Sequence, residues 1–297
     1  MTTFNKLPYL KIVVGELIKN RQDDEEIIIV DGGSTDGSAE WLQELHADNK
    51  IQKFSSAKDF GESHGNNRAI LLSEGKLLKV LTDDDVYNFE GIRECKNYML
   101  QHEEIDILGA DGYDNYKVKE LVMVSHIPHF EKWLSRKIPF SFYGPGLMFR
   151  RSSIPLLGLY NCAVRFSDSE FIHRATSLPV KIAWFKKPLF VHLINSESNT
   201  FKFLRRKKLE IEMHELYTRI ATGESAINLF TRRKYNRIKQ SVYNLLFQPS
   251  SKSKKSDYET HDFKALYYLH YQYLMENFNN YKDENPFIYL KPSVIKN

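Results

Sequence analysis

Apolar residues alternate between a helical period and short β-branched runs over the first 110 residues. Between Leu7 and Asn20 they recur every three or four positions, which predicts a helix with Pro8 tolerated in its first turn. The β-branched run Ile27–Val30 predicts a buried strand. The alternation continues with helices over Ser38–His46, Ser63–Ser73 and Ile92–Gln101, and with strands over Ile51–Phe54, Leu77–Leu81 and Ile105–Leu108. Such alternation with short loops predicts an α/β fold, a parallel sheet covered by helices.

The pattern and the charge both change further along the chain. Six prolines interrupt the alternation of helices and strands between residues 112 and 200. Helical stretches follow at about 203–221, 225–247 and 261–278. Residues 201–297 carry 18 Lys and Arg against 10 Asp and Glu, whereas the first 200 residues carry 24 against 28. We therefore predict one domain over residues 1–200 and a basic, mainly helical C-terminal extension over residues 201–297.

Composition excludes several classes of protein. Hydrophobic residues at 42% and charged residues at 27% are typical of a globular domain and exclude disordered and fibrous chains. Apolar runs stay far below the roughly 18–20 residues of a membrane-spanning helix, and the first residues lack a signal-peptide pattern. Two cysteines, Cys95 and Cys162, suit a reducing compartment. We expect a cytoplasmic protein.

Two polar loops directly follow predicted strands, where parallel sheets bind their ligands. Adjacent carboxylates at Asp83–Asp85 repel one another unless a cation or solvent relieves them, and Mg²⁺ or Mn²⁺ often bridges such groups to a diphosphate. A solvated acidic turn or a helix cap is the alternative. Three glycines within residues 31–37 would let the main chain approach a ligand, or would simply form a flexible turn. The acidic balance of this half favours a metal–phosphate ligand over nucleic acid.

Several catalytic patterns are missing from the sequence. It contains neither G-x-x-x-x-G-K-[ST] nor G-x-G-x-x-G, which argues against P-loop NTPases and dinucleotide-dependent oxidoreductases. H-E-x-x-H, a Cys/His cluster and G-x-S-x-G are missing as well, so zinc enzymes and serine hydrolases lose support. Asp168 and Glu170 open a predicted helix, where acidic residues also occur simply because they complement the helix dipole.

Taken in order, these segments resemble the family 2 glycosyltransferases with the GT-A fold, over about residues 2–200. Glu26–Gly37 resembles the strand and loop that cradle the nucleotide, and Leu81–Asp85 resembles the acidic metal-binding motif. Four further segments stand in family order: Asp59–Gly61 with Asn67–Arg68 (the "D-x-G … N-[KR]-G" segment), Gly146–Arg151 (the "F-R-R" strand), Ser167–Asp168 (the "E-D" whose Asp is the catalytic base) and Pro188–His192 (the closing strand).

The resemblance implies a Rossmann-like, mostly parallel sheet flanked by helices, with a nucleotide-binding half at about 1–110 and an acceptor half at about 111–200. It implies metal-dependent, inverting transfer of a sugar from a nucleotide-sugar to a glycan or lipid-linked acceptor, in the synthesis of cell-surface polysaccharide or glycolipid. Asp168 would be the catalytic base, and Mg²⁺ or Mn²⁺ would be held by Asp85, Asp83 and His192. The residues expected to line the donor site are Thr3, Asp31, Asp59, Asn67, Arg68, Asp83 and Asp84.

The sequence departs from the family pattern at three places. Thr2–Asn5 matches the end of the family's first strand, so we expect the reading frame to continue upstream of Met1 with about five to seven β-branched residues. Gly32 stands where the family's "D-D-G-S" loop has its second Asp. Ser167 replaces the Glu of the "E-D" pair, which leaves Asp168 as its only carboxylate.

Two other functions stay open at this point. A nucleotidyltransferase would also use acidic metal ligands, although its Gly- and Lys-rich N-terminal loop is not found, and a relative that binds glycan without turnover would tolerate the departures. The basic, amphipathic stretch Ile227–Phe247 predicts peripheral contact with the inner face of the membrane. The alternative is that this stretch packs on the catalytic domain or forms a homodimer.

Overall fold

The computed structural model describes residues 1–117, 120–164, 166–193 and 262–289, with isolated positions between 216 and 234. The helices in these ranges are α1 (Leu7–Asn20), α2 (Ser38–Ala47), α3 (Glu62–Leu72), α4 (Phe89–Gln101), α5 (Ile127–Arg136), α6 (Ile154–Leu157), α7 (Ser167–Thr176) and α8 (Phe263–Asn279). The strands are β1 (Thr2–Thr3), β2 (Ile28–Asp31), β3 (Lys53–Ser56), β4 (Leu77–Lys79), β5 (Val86–Tyr87), β6 (Ile107–Ala110), β7 (Gly112–Lys117), β8 (Glu120–Val124), β9 (Met148–Arg150), β10 (Ile182–Phe185), β11 (Phe190–His192) and β12 (Phe287–Ile288).

The predicted α/β class is confirmed, and the first elements follow the apolar pattern closely. Strands β3 and β6 begin two residues later than predicted. Ile51 and Ile105 continue the apolar pattern because they are fully buried in the core, but they lie just before the residues that pair with a neighbouring strand. Helix α4 begins three residues earlier than predicted. Its start is fixed by Asn88, whose side chain accepts a hydrogen bond from the Gly91 amide at 3.0 Å.

The strands form three sheets. Parallel pairs join β1–β2–β3 in a three-stranded sheet. A five-stranded sheet has the order β12–β10–β6–β9–β4, in which only β10 and β6 pair in parallel. The third sheet, β5–β11–β7–β8, pairs β11 with β7 in parallel. Strand β2 ends at Asp31, the first residue of the polar loop singled out in the sequence. Strand β4 ends at Lys79, two residues earlier than predicted, and three residues separate it from Asp83.

Residues 262–289 pack against elements of the first 193 residues. Tyr267 and Leu274 of α8 are fully buried in one cluster with Val86 and Val191. Strand β12 pairs antiparallel with β10. The domain division near residue 200 stays a prediction, and the basic stretch 227–247 lies almost entirely outside the described residues. None of the described helices has the length and apolar composition needed to cross a bilayer.

A cavity of about 720 Å³ lies between β2 and β4, away from the polar loops at the ends of the strands. Ile28 and Leu77 line it from these two strands, while Ile70 and Ile92 line it from α3 and α4. The Met1 amine reaches this space and donates a hydrogen bond to the Ile28 carbonyl at 3.0 Å, as the next amide of a parallel ladder would. Burial lowers the pKa of this amine to about 6. The cavity therefore has the position and the lining of one additional strand between β2 and β4.

Adding five alternating Val and Ile residues before Met1 is expected to raise Tm. Each buried side chain would contribute about 1.5–3 kcal/mol, and the buried amine would become an uncharged amide. Even 1 kcal/mol shifts Tm by about 2–4 °C in a domain of this size class. Calorimetry would compare this variant with a five-residue Ser/Gly extension, and equal Tm values would contradict the prediction.

Candidate active site

Three consecutive carboxylates lie buried after the end of β4. Asp83 and Asp84 are each 7% exposed, and Asp85 is fully buried. Burying several like charges together is costly unless positive groups or hydrogen bonds compensate for them. The surrounding chain supplies both kinds of partner, and it divides the cluster into two parts.

Lys6 compensates the first part of the cluster. Its ammonium lies 3.3 Å from an Asp83 oxygen and also contacts Asp84. Thr3, the last residue of β1, donates its hydroxyl to the other Asp83 oxygen at 2.7 Å. Burial raises the pKa of Asp83 to about 6, against the opposing effect of Lys6. Burial alone would lower the pKa of Lys6, but Asp84 and Asp83 together hold it above its ordinary value.

His192 compensates the second part. Its Nδ1 lies 3.1 Å from an Asp85 oxygen that also accepts the Leu193 amide at 2.9 Å. The other Asp85 oxygen accepts the Thr82 hydroxyl at 2.6 Å. Although burial opposes both shifts, the pairing raises the pKa of His192 to about 9 and keeps the pKa of Asp85 below its ordinary value. The pair is therefore an imidazolium and a carboxylate at neutral pH.

The cluster suits a divalent cation by the chemistry of its carboxylates, because carboxylate oxygens are the ligands that Mg²⁺ and Mn²⁺ prefer. His192 could bind a metal only in its neutral form. Of the predicted metal ligands, Asp85 and His192 lie together, whereas Asp83 faces Lys6 and Thr3. Across the ranges that the structure describes, no three His, Cys, Asp or Glu side chains surround a common metal position. The carboxylates are instead held by cations of the chain itself.

Asp31 organises the glycine-containing loop after β2. One carboxylate oxygen accepts the amides of Gly33 at 2.9 Å and Ser34 at 3.0 Å, and also the Ser56 hydroxyl at 2.7 Å. The other oxygen accepts the Ser34 hydroxyl. Asp31 is fully buried, so its charge serves the shape of the loop, and its contact with a donor stays a prediction.

Gly32, the departure from the family loop, makes room for Asp59. A Cβ atom at Gly32 would lie 3.1 Å from an Asp59 oxygen, so the absence of a side chain lets this carboxylate approach the loop. Asp59 also accepts the Gly61 amide at 2.9 Å. One carboxylate, that of Asp59, therefore lies beside the loop that follows β2.

Asn67 and Arg68, both predicted donor-site residues, make contacts within the chain. Asn67 forms two hydrogen bonds of 2.8 Å with the main chain of Tyr160 and so ties α3 to the second half of the domain. Arg68 donates to the Ser55 hydroxyl at 2.5 Å and to the Ala57 carbonyl at 3.3 Å, which fixes the end of β3. Any contact of either side chain with a donor stays a prediction.

Asp168 lies in the first turn of α7. Its two oxygens accept the Gly144 amide at 3.2 Å and the Ser169 amide at 2.7 Å. Burial raises its pKa, whereas those amides and the charge of His192 act in the opposite direction. Gly144, whose amide Asp168 accepts, follows Tyr143, and the Tyr143 ring lies 5.7 Å from the ring of His192, the partner of Asp85, so a short series of contacts connects the two carboxylates.

Two neighbouring features support the position of Asp168. The buried Lys79 ammonium of β4 donates to the Leu147 carbonyl at 3.2 Å and to the Pro145 carbonyl, so it holds the turn that presents Gly144. Glu170, two residues beyond Asp168, is fully buried and pairs with Arg174 at 2.9 Å. Its position is that of a structural ion pair.

Three residues of this site, Lys6, Asp114 and Tyr143, have no signal in the sequence pattern. Lys6 is separated by 77 residues from Asp83, its partner. Asp114 of β7 lies opposite His192 in the parallel register and accepts the Tyr143 hydroxyl at 2.7 Å. Tyr143 in turn packs edge-on against the His192 ring at 5.7 Å. The pairing of β7 with β11 brings Asp114 beside His192, and no local sequence pattern marks this pairing.

Comparison with known proteins identifies relatives of the chain. Residues 1–155 match the family model described as "Glycosyl transferase family 2". The glycosyltransferase GlyG of Streptococcus pneumoniae serotype 4 is 27% identical over 114 residues, which are 38% of this chain and 37% of that protein. The chain thus matches little more than a third of that relative's length.

Two solved structures share the fold. S. aureus TarS 1–349 in complex with UDP-GlcNAc aligns with a TM-score of 0.55 and 14% identity over 73% of this chain and 63% of that one. The mannosyltransferase PcManGT of Pyrobaculum calidifontis, in complex with GDP-Man and Mn²⁺, aligns with a TM-score of 0.51 and 13% identity over 92% and 83% of the two chains. At these identities the likeness establishes the GT-A fold.

Replacing Asp31 by Asn should lower the free energy of unfolding by about 1–3 kcal/mol, because the amide nitrogen cannot accept the hydrogen bonds that converge on the carboxylate. Urea unfolding would measure the loss, with the exposed Glu44→Gln of α2 as the control. Equal stability of Asp31→Asn and the unaltered chain would show that the loop does not depend on this charge.

Proposed function

The chain belongs to glycosyl transferase family 2, and we propose that it catalyses metal-dependent, inverting transfer of a sugar from a nucleoside-diphosphate sugar to an acceptor hydroxyl. The observation that carries this proposal is the buried cluster Asp83–Asp85 after the end of β4, which is linked to Asp168 through contacts of His192, Tyr143 and Gly144. A cluster of carboxylates is suited to a cation–diphosphate ligand, and a separate carboxylate is suited to accept a proton.

The neighbours support the class of donor. TarS is described with UDP-GlcNAc and PcManGT with GDP-Man and Mn²⁺, which are nucleoside-diphosphate sugars and a divalent cation. We extend both to this chain as a proposal, with a cell-surface glycan or glycolipid as the acceptor. Thr3, Asp31 and Asp59 would line the nucleotide side of the cleft.

Asp85, together with Asp84 or Asp83, would hold Mg²⁺ or Mn²⁺ at the donor diphosphate. The cation supplies charge stabilisation to the departing nucleoside diphosphate. The protein contributes carboxylates that are already ordered by Thr3, Thr82 and the Leu193 amide. Because these groups are fixed before the donor binds, little reorganisation is needed during the reaction.

Asp168 would act as the general base on the acceptor side. The acceptor oxygen forms a bond to the anomeric carbon while the bond from that carbon to the diphosphate oxygen breaks, and the bonding pair leaves with the nucleoside diphosphate. The acceptor proton passes to the Asp168 carboxylate. Burial raises the pKa of Asp168, which makes it a better proton acceptor than an exposed carboxylate.

Asp168→Asn should lower kcat about 100-fold or more and leave the donor Kd within about threefold, because the amide keeps the shape of the side chain but cannot take the proton. In the unaltered enzyme, kcat/KM should fall as the pH drops through a pKa above the usual aspartate range, since the base must be ionised. Steady-state release of nucleoside diphosphate measures both, with the exposed Glu131→Gln of α5 as the control. Near-normal turnover of Asp168→Asn would reject the assignment.

Asp85→Ala should abolish the metal-dependent part of donor binding. Calorimetric titration of UDP-GlcNAc and GDP-Man, with Mn²⁺ and then with EDTA, would show binding that requires metal in the unaltered chain and none in the variant. Binding that is equal with and without metal, or unchanged in Asp85→Ala, would contradict the assignment.

Release of nucleoside diphosphate across a panel of donors separates the three functions. A glycosyltransferase releases nucleoside diphosphate when an acceptor is present. A nucleotidyltransferase instead forms pyrophosphate from a nucleoside triphosphate, and a binding-only relative forms neither product.

A further inference from the structure

The acidic cluster already holds a cation of its own. The Lys6 ammonium contacts Asp83 at 3.3 Å and also contacts Asp84, so it bridges two of the three buried carboxylates. A hard divalent ion would need oxygens of these same side chains. The ammonium and the metal ion would therefore compete for one set of ligands.

The position of Lys6 is set by the fold. Lys6 lies between the end of β1 at Thr3 and the start of α1 at Leu7, and it directly precedes the first helical residue. The side-chain oxygen of Asn5, the preceding residue, accepts the Thr35 amide at 2.8 Å. The main-chain amide of Asn5 donates to the Ser34 hydroxyl at 2.8 Å. The main chain beside Lys6 is thus tied to the loop after β2, whereas the hydrogen bonds that its ammonium makes within the described residues go to Asp83 and Asp84.

We propose that Lys6 is the resident counter-ion of Asp83 and Asp84, that a divalent cation binds these carboxylates only after the ammonium moves away, and that Lys6 thereby makes the site weak for metal until a diphosphate is present. This inference rests on the proposed function for the identity of the diphosphate ligand. The displaced ammonium is a long, mobile cation near an arriving diphosphate, which offers it new oxygens. Binding of metal and of diphosphate is then positively coupled, and the coupling is reciprocal.

Electrostatics gives the direction of the effect. A positive charge in contact with a carboxylate weakens the attraction of that carboxylate for a second cation, and this effect is stronger in a partly buried site than in water. Removal of the Lys6 charge should therefore tighten metal binding in the absence of nucleotide. A lysine that only stabilised the start of α1 would leave the metal affinity unchanged.

Electron paramagnetic resonance of free Mn²⁺ during titration of the full chain tests the proposal without any need for turnover. Lys6→Met should lower the Kd for Mn²⁺ at least about tenfold, whereas Lys6→Arg and the exposed Lys11→Met of α1 should stay close to the unaltered chain. In the unaltered chain, UDP should tighten Mn²⁺ binding more than it does in Lys6→Met. Lys6→Gln replaces Lys6→Met in the same titration if the methionine variant does not fold.

A Kd for Mn²⁺ that is equal or weaker in Lys6→Met and Lys6→Gln overturns the proposal, as does equal coupling to UDP in the variants and the unaltered chain. Loss of the gain in Lys6→Met/Asp84→Asn would confirm that Asp84 is the ligand that Lys6 blocks. The outcome is distinct from that of the proposed function. A chain that shows the Mn²⁺ effect but releases no nucleoside diphosphate with any donor would keep this inference and refute sugar transfer.

Discussion

Burial of three adjacent carboxylates at the end of β4 is the constraint on which the site depends. Without partners, the three carboxylates would repel one another and would lose their hydration, so the fold must bring compensating groups to them. It does so from distant parts of the chain: Thr3 and Lys6 come from the N-terminal strand and turn, and His192 comes from β11. The same cluster therefore ties β1, β4 and β11 to one point.

This compensation leaves the cleft nearly neutral before any ligand arrives. The cluster carries three carboxylates against the ammonium of Lys6 and the imidazolium of His192. The positive charge of a divalent cation and the negative charge of a diphosphate also balance each other. The two can therefore bind together without adding a large net charge to the buried cluster. Strand β4 extends this order to Asp168, because Lys79 holds the turn whose Gly144 amide binds the Asp168 carboxylate.

The sequence predicted those parts of the structure that local pattern controls. Helix α1 begins and ends at the predicted residues, and the acidic segment follows a strand as expected. Pattern does not report which polar side chain binds a ligand and which ties two loops together, as Asn67 does at Tyr160. Nor does it report pairs such as Lys6 with Asp83 or Asp114 with Tyr143, which arise only when distant strands are placed side by side.

The most direct test of this account is a crystal structure of the chain with Mn²⁺ and a nucleoside-diphosphate sugar, with Mn²⁺ located by anomalous scattering. We expect an anomalous peak among the oxygens of Asp83–Asp85, with the donor diphosphate beside it and the Lys6 ammonium withdrawn from Asp84. A peak elsewhere in the molecule, or a donor bound while Lys6 keeps both carboxylates, would contradict it.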